Sequence, residues 1–415
     1  MKLLASFFLL SFATLAHAAS PVVGVWEGSA AVHGQQVPFT LTISGSAKQL
    51  KAALINGSEQ SQASSVTLTG DHLVVAFNYF ARKFDSTLTN GTLSGTFGTV
   101  AVNYPVTARL VPKAAVVTVA PNAPDLQGEW EVATKSAKGE AAWQLRINGT
   151  GKVQAVIQRI DGDTGSLFGS WNGKSYLVSH VSAAGPALYS FTPGSDGTLL
   201  VSNLLRADIK PVPEQQNLVA RRPAEARKQN LAPPTDSTQQ TSVKDPSVPF
   251  KFSFPDLTGK IVSNNDPQFD GKVVIVAIGG SWCPNCHDEA PFLVSLYKQF
   301  HSEGLEIVNL SFEEEDKLKD PTRLRAFIAR YGIPYTVLLA GQTDQLNEKI
   351  PQGVNLNSWP TSFFLGRDGL VKEVHAGFAG PANPPAHEAL IKEVTELIEH
   401  LLAEPAPVRT AGLTQ

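Results

Sequence analysis

Thiols are scarce in this chain: its 415 residues include two cysteines, Cys283 and Cys286, and a single methionine, Met1. A scaffold held by disulfides needs several bridges closing long loops, so two cysteines three positions apart do not staple a fold. With no internal methionine, a thioether ligand for a metal or haem is excluded. Charge is also sparse. Charged residues make up 17% of the chain and the formal net charge is -3, which offers no electrostatic footprint for nucleic acid or an anionic membrane surface. Long apolar runs are missing as well. The run near the N-terminus, Ala5 to Leu15, is shorter than the ~20 residues a helix needs to span a bilayer.

What remains is ordinary globular material. Hydrophobic residues at 42% suit packed cores, and the length suggests about three domains of roughly 100–200 residues. Met1-Lys2-Leu3-Leu4, the apolar run and Ala16-His17-Ala18 are the parts of a secretory signal peptide. The expectation is a leader over 1–18, cleavage after Ala18, and a mature chain that is soluble and periplasmic or otherwise extracytoplasmic. No cysteine follows the run, so a lipid anchor is not expected.

Residues 20–113 and 125–221 are rich in Thr, Ser, Val and Gly. Apolar runs such as Phe39 to Ile43 and Leu73 to Phe77 stand among the turn pairs Asn56-Gly57, Gly70-Asp71 and Asn90-Gly91, the pattern of antiparallel strands joined by hairpins. An internal echo accompanies it. Gly24-Val25-Trp26-Glu27 returns as Gly128-Glu129-Trp130-Glu131, and Asn90-Gly91-Thr92-Leu93 as Asp196-Gly197-Thr198-Leu199. The reading is two tandem all-β domains, each a small barrel or sandwich, with Trp26 and Trp130 as core plugs rather than markers of a ligand pocket. No His, Cys or carboxylate cluster there has metal-ligand spacing. Residues 222–246, which include Ala232-Pro233-Pro234-Thr235, read as a flexible linker. Across 247–403 strands alternate with helices, an α/β domain, before a tail at 404–415. Its expected strands run from Val273 to Ile278 and from Leu305 to Leu310, both buried on two faces. Helices are expected from Asp288 to Phe300, Leu324 to Tyr331 and His387 to Leu402, and a hairpin around Arg367-Asp368-Gly369.

Cys283-Pro284-Asn285-Cys286 falls where the first buried strand ends and the first helix begins. Unpaired N–H groups and the helix dipole stabilise a thiolate at such a place, so Cys283 is the expected nucleophile. Cys286, one turn on, is positioned to attack a mixed disulfide at Cys283 and release the substrate. A dithiol of this kind calls for no metal and no cofactor.

The segments around this motif resemble the TlpA/ResA-like branch of the thioredoxin superfamily, over about 246–403. Val248 to Lys260 is similar to that family's entry strand and Gly271 to Val276 to its central strand. Ser281-Trp282-Cys283-Pro284-Asn285-Cys286 resembles its active-site motif, and Pro360, within Trp359-Pro360-Thr361, its cis-proline. The resemblance implies a thioredoxin-like fold and a thiol-disulfide oxidoreductase that reduces or isomerises disulfides of exported proteins, with a part in cytochrome c maturation. It further implies a membrane electron-donor protein as partner and a substrate-binding edge at Trp282, Pro284, Trp359 and Pro360. It also implies a glutamate beyond the next strand that exchanges protons with Cys286. Aligning Ile307 to Phe312 with that strand points to Glu314, flanked by Glu313 and Glu315, and a raised carboxyl pKa is expected there. The sequence departs from the family at Gly279-Gly280, Asn285 and Trp359.

Three other readings compete. Cys283-Pro284-Asn285-Cys286-His287 also fits the C-x-x-C-H haem attachment signature, but the chain has no methionine to serve as axial ligand and a buried strand feeds directly into the motif. His287 then reads as a helix residue of the first turn. A peroxiredoxin would need Pro and Thr where Val276 and Gly280 stand. A binding or scaffold module, with the β-domains as its working part, is the alternative outside the enzymes.

Overall fold

A computed structural model describes residues 21–46, 48–112, 119–134, 136–206 and 216–405. The leader over 1–18 and the tail beyond residue 405 lie outside the described residues.

Alternating burial explains the sheets of the first half. In Gln35–Ser46 the inward positions Val37, Phe39, Leu41 and Ile43 are buried and polar residues stand between most of them, the period of two that a sheet with one wet face demands. Nine strands between Gly24 and Val111 form a meander whose first strand, Gly24–Val32, pairs with both the second and the last. The sheet from Gly128 to Arg221 also has nine strands, and pairing of Ala142–Asn148 with Lys152–Arg159 closes it into a ring. The echo seen in the sequence has a structural counterpart. Trp26 lies opposite Leu41 and Trp130 opposite Leu145. Both indoles are buried, and each N–H donates to the carbonyl four residues earlier, Val22 at 2.8 Å and Leu126 at 2.9 Å.

The segment expected to be a flexible linker is tied down instead. Pro223–Lys228 and Ser237–Gln240 are short helices, and Ser242–Val243 pairs with Gly353–Val354. Gln240 is buried and its side-chain amide donates to the Lys138 carbonyl at 2.7 Å and to Asn357 Oδ1 at 3.0 Å. A polar, proline-bearing composition suggests solvent, but these side chains have fixed partners on both flanking units.

The C-terminal domain is a five-stranded sheet in the order Thr336–Gln342, Leu305–Glu313, Val273–Gly279, Thr361–Leu365, Val371–Ala376. All seven residues of the central strand Val273–Gly279 are buried, as its unbroken apolar run requires. It runs parallel to Leu305–Glu313 and antiparallel to Thr361–Leu365. Val273, Ile275 and Ala277 pack with residues of the helices Pro284–Phe300, Thr322–Tyr331 and Pro384–Ala403. Val274, Val276 and Ile278 face a second core containing Phe250, Phe252 and Phe269. The sequence reading has no strand at Thr336–Gln342, the parallel edge of this sheet. Its apolar stretch from Val337 to Ala340 is short and gives no period to read. Among the described residues no helix is long and apolar enough to cross a membrane.

Candidate active site

The central strand delivers the chain to the N-terminus of Pro284–Phe300, where Cys283 is the N-cap residue. Proline at the first helical position costs no hydrogen bond, because that N–H has no partner inside a helix. The Cys286 N–H donates to Cys283 Sγ at 3.3 Å, so one of the unpaired donors of the first turn is aimed at the sulfur. Both thiols are free and buried, Cys283 at 2% and Cys286 at 5% exposure. Burial above all pushes the Cys286 thiol well above its ordinary pKa, helped by its hydrogen bond to Cys283 and by the charges of Cys283 and Glu289.

The four residues of the expected substrate-binding edge lie around this pair. The Trp359–Pro360 peptide is cis, and the Trp359 ring meets the Trp282 ring edge-on with centroids 5.4 Å apart. Trp282 Nε1 donates to the Phe312 carbonyl at 2.9 Å. That fold-back accounts for the departure at Gly280, where a Cβ would lie 2.3 Å from Trp282 Nε1. Pro284 is exposed on the first turn.

His287 is no candidate haem ligand in this arrangement. Its Nε2 bonds the Ser281 carbonyl at 2.9 Å and its Nδ1 the Tyr331 hydroxyl at 3.0 Å. Burial drives its pKa down to about 3, so the ring is neutral, with Nε2–H donating and Nδ1 accepting. Phe80, from the first sheet's side, stacks on it at 3.9 Å.

The acidic run after Leu305–Glu313 behaves differently from its expected role. Glu314 is half exposed and ion-paired with Arg323. Partial burial works to raise its pKa, but the Arg323 hydrogen bond prevails and holds the carboxyl below its ordinary value, contrary to the raised value expected. Glu313 is fully buried and accepts from the Ser281 N–H at 2.7 Å, Ser281 Oγ at 2.8 Å, Ser311 Oγ at 2.7 Å and Arg323 Nη2 at 2.5 Å. It therefore clamps the residue two positions before Cys283. A carboxyl on the Cys286 helix face that does carry a raised pKa is Glu289, which the sequence reading missed. It sits three residues past Cys286 on one helix face, is 6% exposed, and accepts from Ser362 Oγ at 2.8 Å. Burial pushes it up to about 7. The i, i+3 spacing from Cys286 was the available signal.

The second sheet reaches into the same site. Asp161, at the turn after Lys152–Arg159, takes three hydrogen bonds from the C-terminal domain. Trp359 N–H donates to its Oδ1 at 3.1 Å, and Phe378 N–H and Asn285 Nδ2 donate to its carbonyl at 3.1 and 2.9 Å. Lys138 pairs with its carboxylate, and Gly162 forms a parallel bridge with Phe378. Two glycines permit this approach: a Cβ on Gly162 would lie 2.3 Å from the Phe378 carbonyl oxygen, and one on Gly377 would lie 2.0 Å from that of Ile160. Beside the contact a cavity of about 720 Å³ is lined by residues of all three units, Cys283 among them.

Elsewhere, Glu373, His375 and Glu393 bring one ligand atom each within 4.8 Å. His375 already meets Glu373 at 2.5 Å and Glu393 is exposed, so this group lies outside the thiol chemistry.

Comparison with known proteins converges on the same region. The AhpC/TSA family model matches residues 246–374. The thiol-disulfide oxidoreductase ResA of Bacillus anthracis is 28% identical over 144 residues, covering 35% of this chain and 75% of that protein. ResA of Bacillus subtilis (strain 168) is 29% identical over 136 residues, covering 33% and 69%. A thiol:disulfide interchange protein of the thioredoxin family from Chlorobium tepidum TLS is 24% identical, covering 39% of this chain and 100% of that one at a TM-score of 0.30. The C-terminal domain is thus thioredoxin-like and related to the ResA oxidoreductases, and the family model does not reach the two β-sheets. Over that third of its length, the chain is an oxidoreductase of the thiol-disulfide kind.

Proposed function

We propose that this protein is an exported disulfide reductase in which Cys283 attacks and Cys286 resolves. The observation that supports the reading best is the Cys286 N–H directed at Cys283 Sγ at the mouth of a helix, which marks Cys283 as the attacking sulfur, while burial keeps the Cys286 thiol protonated. In the first step the Cys283 thiolate breaks the substrate S–S bond, forms a mixed disulfide and releases one substrate thiolate, which takes up a proton. In the second, Cys286 gives its proton to the Glu289 carboxylate and attacks Cys283 Sγ, releasing the other substrate thiolate. Two electrons have moved and the protein holds a Cys283–Cys286 disulfide. An external dithiol, in the family resemblance a membrane electron-donor protein, would return it to the reduced form.

Replacing Cys283 by Ser is expected to abolish turnover, and Cys286→Ser to accumulate mixed disulfides visible by non-reducing mass spectrometry. Retained turnover without Cys283 would sink the assignment. Exported proteins, including maturing c-type cytochromes, are the substrates the resemblance suggests. Such a substrate would have to bind as a strand along Trp359, where Asp161 already sits.

A further inference from the structure

Extended peptides bind thioredoxin-like edges through backbone hydrogen bonds, so the donors beside Pro360 have to be free. Here they are taken. The Trp359 and Phe378 N–H groups both bond Asp161, the Gly377 N–H bonds the Pro360 carbonyl at 2.7 Å, and Gly162 continues the pairing to Phe378. The Asn285 side chain, inside the Cys283–Cys286 loop, is engaged by the same turn. A polypeptide strand is therefore replaced at this edge by the protein's own Asp161 and Gly162.

The route that stays open to Cys283 is the cavity of about 720 Å³, within the roughly 300–1,000 Å³ typical of small-molecule sites. Glu59, Asp163 and Asp288 line it together, close enough that the charge of Glu59 acts on both aspartates and that of Asp163 on Asp288. Asp163 Oδ2 and Asp288 Oδ2 both face Gly380, 3.0 and 2.9 Å from where its Cβ would stand, so the two carboxylates lie within roughly 6 Å of each other. Asp163 is 5% exposed; its Oδ1 accepts the Gly165 N–H at 2.7 Å, while its Oδ2 makes no well-formed hydrogen bond and lies beside the Gly380 N–H. Of the cavity's cations, Lys138 pairs with Asp161 and Arg330 lies over the Tyr79 ring at 4.9 Å; Arg159, 5.9 Å from the Trp143 ring, also acts on Asp163 and opposes the rise of its pKa without cancelling it. His180, which also lines the cavity, is held neutral by burial. Asp288 follows Pro284 by one turn on the same helix face, so this acidic cluster adjoins the thiol.

Resting on the disulfide-reductase reading above, we propose that the substrate is a low-molecular-weight disulfide carrying an ammonium group, which enters this cavity with the ammonium between Asp163 and Asp288 and one sulfur at Cys283. The bound cation supplies what these carboxyls lack. Burial, with Glu59 adding, holds Asp163 up at about 6, and burial followed by the charges of Asp163 and Glu59 raises Asp288. An ammonium between them removes that repulsion and leaves both ionised. The electron balance is that of the two-step exchange already given, with two small thiols as products.

The test uses the reduced full chain and follows oxidation of the dithiol in single turnover by four disulfides: cystamine (dicationic), hydroxyethyl disulfide (neutral), dithiodiglycolate (dianionic) and insulin. Each rate is divided by that of free dithiothreitol with the same disulfide. Cystamine is expected to exceed dithiodiglycolate by about tenfold or more, as one close ion pair provides. Its advantage over hydroxyethyl disulfide should shrink several-fold in Asp288→Asn and further in Asp163→Asn. Because Asp288 keeps partial surface exposure where Asp163 is buried, its variant carries the test even where the Asp163 variant fails to fold. Equal normalised rates for the three small disulfides, an undiminished cystamine advantage in Asp288→Asn, or faster reaction with insulin than with cystamine would each overturn the proposal. Failure of every disulfide, the neutral one included, to oxidise the dithiol would instead refute the reductase reading itself.

Discussion

Glu289 shares a helix face with Cys286, and its carboxyl is held up at about 7 by burial. Two consequences follow from one group. As the acceptor of the Cys286 proton it works when ionised, so the resolving step should accelerate as pH rises through about 7. Glu289→Gln should slow that step by about a hundredfold and flatten the profile, which rapid-quench trapping of the mixed disulfide would measure; an unchanged profile would remove Glu289 from the cycle. Stability carries the opposite sign. A carboxyl whose folded pKa lies above its unfolded value stabilises below the unfolded value, and the gain is lost as pH rises through the folded one. Urea unfolding should therefore show wild-type stability falling from about pH 4.5 to 7, with a share from Glu289 on the order of 3 kcal/mol at most that Glu289→Gln removes while the shares of Asp163 and Asp288 remain. Arg323 illustrates a different dependence. It is the cation paired with the fully buried Glu313, and Arg323→Met leaves that charge uncompensated. The expected cost is about 3–5 kcal/mol in urea unfolding, together with slower thiol exchange as Ser281 Oγ loses the hydrogen bond that Arg323 Nε donates at 2.7 Å. At this scale the sequence was legible where chemistry is local: Cys283, Cys286, Trp282 and Pro284 lie within one short motif. Glu289 lay equally close, but the acidic run at Glu313, Glu314 and Glu315 offered three consecutive carboxylates to a family alignment, and the alignment could not tell a buried clamp from a surface ion pair.

Among the elements, the turn carrying Asp161 has the largest effect on what the thiols can meet. Its contact with the redox domain depends on two missing side chains. Gly377, at a positive φ of 75°, faces the Ile160 carbonyl so closely that any Cβ would have to displace backbone. Gly377→Ala should therefore push the turn away. The expected readout is faster modification of Cys283 by a bulky maleimide, with the rate for iodoacetamide changing less; equal protection in variant and wild type would mean that the turn does not cover the thiol. Nothing in the sequence announced this contact, because residues 161 and 359 are far apart in the chain and no local pattern encodes docking of a hairpin on another domain. Strands such as Gln35–Ser46 and Val273–Gly279 were readable because burial writes itself into their alternation or into its absence. The edge strand Thr336–Gln342 has an apolar stretch of only four residues and is half covered, so it left no such trace.

For the molecule as a whole, the segment between the second sheet and the redox domain is a fastening. Composition made 222–246 look like a tether free in water; the buried amide of Gln240, bonded to Lys138 and Asn357, makes it part of the joint. Trypsin should accordingly leave Arg227 and Lys228 uncut under native conditions, and Gln240→Ala should expose them, as judged by mass spectrometry of limited digests. Rapid cleavage there in the wild type would argue for independent units. On the reading proposed above, the dithiol is used twice per cycle, once by its client and once by whatever restores its electrons. With Asp161 seated against Trp359, both visitors face the same narrow doorway, so a recharging protein cannot simply lay a chain alongside the sulfurs. It has to lift the latch first, or hand its electrons to a courier small enough to pass.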